Sequence, residues 1–103
     1  MSVFSLKLSN FSTALESERP VLIDFYADWC GPCRMVSPIV DQIAEEHPEY
    51  LVATVNVDEE EELAAKFGVT SIPTLVVMKG GRVLSQSAGY RPKAQILSLL
   101  EQA

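Results

Sequence analysis

Val21-Leu22-Ile23-Asp24-Phe25-Tyr26-Ala27, followed after Asp28 by Trp29-Cys30-Gly31-Pro32-Cys33, is the stretch on which the fold of this chain turns. The first seven residues are almost wholly apolar, the pattern of a central strand covered on both faces. From Pro32 onward, Val36, Ile39, Val40 and Ile43 recur at the spacing of a helix packed on a sheet. The two cysteines, the only ones in the chain, therefore sit at a strand-to-helix junction, where positions i and i+3 share one face of the first helical turn and can close a small disulfide. As a staple such a ring is poor, because closing a four-residue loop is worth only about 2 kcal/mol on the chain-entropy account. A zinc ribbon would need four thiolate or imidazole ligands, and the single histidine, His47, lies at the far end of the same predicted helix. The pair is read as redox chemistry, with no metal and no bound cofactor.

With 103 residues, 48% of them apolar, the chain is expected to form one domain over residues 1–103 with a real core. The net charge of −6, with eight basic residues scattered singly, argues against nucleic acid and acidic membranes as partners. Met1-Ser2-Val3-Phe4 shows neither a basic start nor a continuous apolar signal, and no run is long enough to cross a bilayer. The expectation is a cytoplasmic protein, a setting in which a lone cysteine pair is usually catalytic or redox-sensing.

Outward from the centre, alternation over Val3 to Leu8 predicts a half-buried edge strand with Phe4, Leu6 and Leu8 on one face. Ser9 or Asn10 would cap a short helix burying Phe11, Ala14 and Leu15 and stopping before Pro20. Pro38 should bend the long helix, which His47-Pro48 ends. Leu51 to Val57 reads as a second strand; Asp58 and Glu59 to Glu62 open a short helix carrying Leu63, Ala64 and Phe67, their charges favouring its dipole, and Gly68 stops it. Thr74 to Met78 and Arg82 to Ser87 form an antiparallel hairpin at Gly80-Gly81, where positive φ is needed. Pro92 pre-sets the first turn of a last helix with Ile96, Leu99 and Leu100 inward. Met35 and Met78 are read as packing residues. The order β-α-β-α-β-α-β-β-α predicts a mixed α/β sheet, its strands parallel through right-handed crossovers until the closing hairpin.

At the helix N-terminus Cys30 faces unpaired N–H groups and the positive end of the dipole, which lowers a thiol's pKa; Cys33, one turn on, should be less exposed and less acidic. Cys30 is thus the attacking thiolate and Cys33 the resolving thiol. Gly31 and Pro32 shape the ring, Pro32 lacking an N–H where none is needed. Asp24, mid-strand among apolar neighbours, should have a raised pKa and serve as proton acceptor for Cys33, directly or through water; pairing with a basic side chain, or a turn toward a solvated edge, is the alternative. Trp29 is read as a partly exposed lid. His47 is read as a helix-end residue meeting carbonyls. On the residues alone Ile72-Pro73 is an ordinary turn.

Together with Asp24-Phe25-Tyr26-Ala27, Pro38, Asn56-Val57-Asp58, Ile72-Pro73-Thr74, Gly81 and Gly89, the cysteine motif gives the chain a strong resemblance to the thioredoxin family over essentially its whole length. The resemblance implies a five-stranded mixed sheet flanked by four helices, and a monomeric protein-disulfide reductase. It implies electrons from a flavin- and NADPH-dependent thioredoxin reductase. Its implied targets are of the ribonucleotide reductase, peroxiredoxin and methionine sulfoxide reductase type. It further implies a cis bond before Pro73, a docking groove made by Trp29, Ile72, Pro73, Ala88 and Gly89, and a buried carboxylate at Asp24. Three positions depart from the pattern common in bacterial members: Tyr26 for a second tryptophan, Thr54 for a lysine beside the buried Asp, and Ser71 for a glycine. Two other readings stand beside reduction: the same fold as a disulfide oxidase or isomerase, and a non-catalytic binding module.

Overall fold

The computed structural model describes residues 3–103; Met1 and Ser2, part of the start read above for an export signal, lie outside them. Five strands, β1 (Val3–Ser5), β2 (Val21–Tyr26), β3 (Leu51–Asn56), β4 (Thr74–Lys79) and β5 (Arg82–Ala88), form one sheet in the order β1-β3-β2-β4-β5. Four α-helices accompany them: α1 (Ser12–Leu15), α2 (Gly31–Glu46), α3 (Glu61–Lys66) and α4 (Lys93–Glu101).

Alternation along β2 divides the core. Val21, Ile23 and Phe25 join Phe11, Val55, Leu63 and Val76 on the face covered by α1 and α3. Leu22 joins Val36, Val40, Ile43, Ile96 and Leu100 on the face covered by α2 and α4, so by alternation Asp24 points to the α2 side. Within α2 the apolar stripe reads as predicted, and the helix runs unbroken through Pro38.

The predicted mixed sheet forms, but its direction reverses one connection early. β1 and β2 both run parallel to β3, whereas β4 is already antiparallel to β2, before the β4–β5 hairpin reverses the chain again. The chain between β3 and β4 contains the six-residue α3 and does not return to the other edge before it pairs with β2. The chain therefore enters β4 at the edge where β2 and β3 leave the sheet, with Thr74 opposite Phe25. The hairpin turn has positive φ at Gly80 and Gly81, as its sequence demands.

Several local expectations are corrected. β1 ends at Ser5, and Leu8, expected on its buried face, starts a 3-10 turn (Leu8–Asn10) and is exposed. Asn10 does not cap α1; its Oδ1 accepts from the Lys7 backbone N–H at 2.7 Å and shapes that preceding turn instead. Leu15 lies mostly outside the core, because a helix of only four residues presents little more than Ala14 to the sheet. α3 starts at Glu61 rather than Asp58, so only Glu61 and Glu62 are in its first turn, while Glu60 turns away to accept the Leu8 N–H. Pro92 is the N-cap of α4 rather than its first helical residue. Met78 is buried, but Met35 is exposed on the outer side of α2. His47 ends α2 with its Nδ1 against the Glu49 carboxylate at 2.9 Å, a side-chain partner instead of the expected carbonyls.

Candidate active site

The early reversal gathers four segments at one edge of the sheet: the end of β2 with the start of α2, the turn after β3, the segment entering β4, and the end of β5. Cys30 is the N-cap of α2, in extended conformation, and its Sγ accepts the Cys33 backbone N–H at 3.2 Å. Its own N–H is tied to the Ala27 carbonyl. Gly31 and Pro32 complete the first turn, and Cys30 and Cys33 are joined in a disulfide with Cα atoms 5.3 Å apart. Both cysteines are buried, at 4% and 2% exposure, packed with Ala27 and against Tyr26, Val57 and Ile72. The expected difference in exposure is therefore nearly absent in the disulfide form; what distinguishes the sulfurs is the helix-cap hydrogen bond to Cys30. Gly31, Pro32 and Trp29 form the exposed surface over the ring, Trp29 at 69%.

Trp29 is held by a contact not foreseen in the sequence, its Nε1 donating to Asp58 Oδ2 at 2.8 Å. Because α3 starts late, Asp58 is left in the turn after β3, and the Asn56 side chain fixes that turn by accepting the Asp58 N–H at 2.9 Å. The resemblance gives Asn56-Val57-Asp58 no role residue by residue; an exposed acid two residues past the end of β3 is the available signal.

Asp24 is 1% exposed, and neither carboxylate oxygen has a hydrogen-bond partner among the described residues. Desolvation, with the nearby Asp41 charge adding to it, raises its pKa from 3.8 to about 7. Its neighbour across β3 is Thr54, which supplies no cation. The alternative of pairing with a basic side chain thus fails among the described residues. Tyr26, where a second tryptophan is frequent, has its phenol raised chiefly by burial and then by Asp28.

The Ile72-Pro73 bond is cis. Ile72 packs against the disulfide cluster, and the Pro73 carbonyl accepts the Gly89 N–H at 2.8 Å, which ties Ala88-Gly89 to the same edge. Ser71 turns its carbonyl to the Thr74 hydroxyl at 2.6 Å. Of the residues predicted for the groove, Trp29 and Ile72 line a common cavity of about 330 Å³, together with Val57, Val69, Thr70 and Ser71. Gly31, Pro32, Pro73, Ala88 and Gly89 border the disulfide or the β4 entry without lining that cavity.

A paired-thiol ring capping a helix at the edge of a mixed sheet, with a buried unpaired carboxyl on the same side, defines a dithiol-disulfide exchange protein. The family model for thioredoxin matches residues 2–102. A thioredoxin from Alicyclobacillus acidocaldarius is 47% identical over 96 residues, covering 92% of this chain and 91% of that one. Thioredoxin 1 from a Nostoc species is 47% identical over 88 residues, covering 84% and 82%. The solved structure of a mutant thioredoxin from Halobacterium salinarum superposes with a TM-score of 0.91 at 33% identity, covering 98% of this chain and 89% of that one. The chain belongs to the thioredoxin family, has its fold, and is a thiol-disulfide oxidoreductase. No helix among the described residues is long and apolar enough to cross a membrane.

Proposed function

We propose that residues 1–103 act as one domain that reduces protein disulfides, with Cys30 as nucleophile, Cys33 as resolving thiol and Asp24 as proton acceptor. The observation that carries the assignment is the Cys33 N–H directed at Cys30 Sγ from the first turn of α2. A negative charge on that sulfur is favoured by the amide and by the helix dipole, whereas Cys33 lies inside the turn with no comparable donor among the described residues. In the dithiol form the Cys30 thiolate attacks a substrate disulfide, forming one S–S bond and breaking another; one substrate sulfur leaves as a thiolate and takes up a proton. Cys33 then gives its proton to Asp24, directly or through a water, and attacks Cys30. The intermolecular bond breaks, the second substrate thiol departs, and the small ring is restored with two electrons transferred. A carboxyl with its pKa near neutrality can take that proton and return it.

Trp29, Ile72, Pro73, Ala88 and Gly89 form the docking surface in this reading, with Gly31 and Pro32 presenting the ring. An NADPH-dependent thioredoxin reductase regenerates the dithiol, and the targets are disulfides of the ribonucleotide reductase, peroxiredoxin and methionine sulfoxide reductase type. The setting is the cytoplasm and the active form a monomer. Replacing Cys33→Ser should trap targets as mixed disulfides on Cys30 that dithiothreitol releases; if Cys33→Ser traps none while Cys30→Ser does, the order of attack is reversed.

A further inference from the structure

We infer that the groove between β5 and α4 binds a phosphate group. The groove has a volume of about 440 Å³, and its walls carry Arg91, Ser85, Ser87, Gln95, Ser98 and Leu99, with no carboxylate among the lining residues; Gln86 also borders it, but its amide is turned to the Phe67 carbonyl. In a chain of net charge −6, a groove whose only charged lining side chain is a guanidinium favours an anion locally. That guanidinium is poorly satisfied by the protein. Arg91 Nε and Ser87 Oγ are both shut off from solvent, and neither has a hydrogen-bond partner in the described residues. Arg91 Nη1 reaches only Gln95 Oε1, at a long 3.4 Å. Neither of the two ion pairs among the described residues involves Arg91. Buried donors of this kind are normally paired, and an unpaired guanidinium nitrogen is among the least tolerated.

The donor set selects the ligand. A guanidinium fork matches two oxygens of a tetrahedral anion, and the serine hydroxyls and the Gln95 amide around it can donate to the remaining oxygens. A cavity of this size also leaves room for a polar body beyond a bare ion, so free phosphate and a phosphate ester both fit it. Nothing in this site is shared with the dithiol apparatus, so it stands independently of the proposed function.

The test is a titration of the intact disulfide form, labelled with nitrogen-15, against inorganic phosphate and against glycerol phosphate, with sodium chloride at matched ionic strength as control. The Nε–H signal of Arg91 and the backbone amides of Ser87 and Gln95 should shift saturably with at least one of the phosphates and not with chloride. The arm that saturates at lower concentration identifies free ion or ester as the source. Arg91→Gln should lose the saturable shift, Arg91→Lys should weaken it because an ammonium lacks the fork, and both should retain insulin reduction. Should Arg91→Gln fail to fold, Ser87→Ala substitutes for it, with a weakened saturation supporting the site and an unchanged one overturning it. Linear shifts without saturation, an equal response to chloride, or a response that survives in Arg91→Gln would each overturn the inference.

Discussion

Replacing Asp24→Asn should remove most of the pH dependence of this protein's stability near neutrality. The carboxyl pKa stands at about 7 in the folded chain against an ordinary value of 3.8, so between those values the folded state holds a proton that the unfolded state has released. A folded pKa above the unfolded one means full stability below pH 3.8 and a progressive loss as pH rises through 7. At about 1.4 kcal/mol per pH unit, the gap corresponds to a penalty of about 4 kcal/mol once Asp24 is ionised in both states. Much of that penalty develops within an accessible range: from about pH 5 to about pH 8 the native chain should lose roughly 2–3 kcal/mol more than an asparagine variant. Asparagine keeps the size and the buried polar group but cannot ionise, so the difference between the two proteins isolates this carboxyl from every other titration. Urea unfolding of the disulfide forms at the two pH values gives both free energies directly. Parallel pH dependence in the two proteins would refute the argument, since Asp24 would then be as well solvated folded as unfolded.

Thr54→Lys, placing a cation on the strand neighbour of Asp24, should move the Asp24 midpoint to lower pH by about 1–3 units, read from the carboxyl carbon by NMR; a midpoint that stays put would mean the ammonium does not reach it. Asp58→Ala removes the acceptor of the Trp29 indole and should cost about 1 kcal/mol of stability, with iodide quenching of tryptophan fluorescence becoming more efficient. Because Trp29 is the sole tryptophan, unchanged quenching would show that the hydrogen bond does not hold the ring. Gly68→Ala, at φ +67 after α3, should lower stability by about 1–2 kcal/mol in a thermal melt, all of it backbone strain because a methyl there meets open space; a melt identical to the parent would discount the turn.

What could be read in advance was whatever a local pattern dictates. The β2 run, the α2 stripe and the Gly-Gly hairpin each bury or turn their own residues, and all three lie where periodicity put them. The resemblance added the cis bond before Pro73, which nothing local to Ile72-Pro73 requires. Properties set by distant segments were not legible. The direction of β4 depends on the edge from which it pairs with β2, which no pattern within the β3–β4 connection states, and Leu15 is exposed because α1 is too short to bring it onto the sheet. Asp58 was assigned to the first turn of α3 because an acid there has a ready local explanation. Its partner, Trp29, is 29 positions away, and only the folded chain brings the two together. The near-equal burial of Cys30 and Cys33 also escaped a reading based on depth along a helix, because closing the ring draws both sulfurs into the same apolar cluster.

The antiparallel entry of β4 gives the molecule two poles with different obligations. Thr74 opposite Phe25 marks the reactive pole; Lys79 opposite Arg82 marks the hairpin tip at the other end of the same strands. Neither glycine of that tip can be replaced freely: Gly80 is in open space but at φ +62, and at Gly81 an added Cβ would also come within 3.3 Å of the Leu15 carbonyl oxygen, whereas the neighbouring Lys79 is exposed in ordinary strand backbone. A fluorophore, an affinity tag or a tether to a surface attached through the Lys79 amine would therefore leave the opposite pole clear for incoming macromolecules, making the hairpin tip a natural handle for immobilised disulfide chemistry.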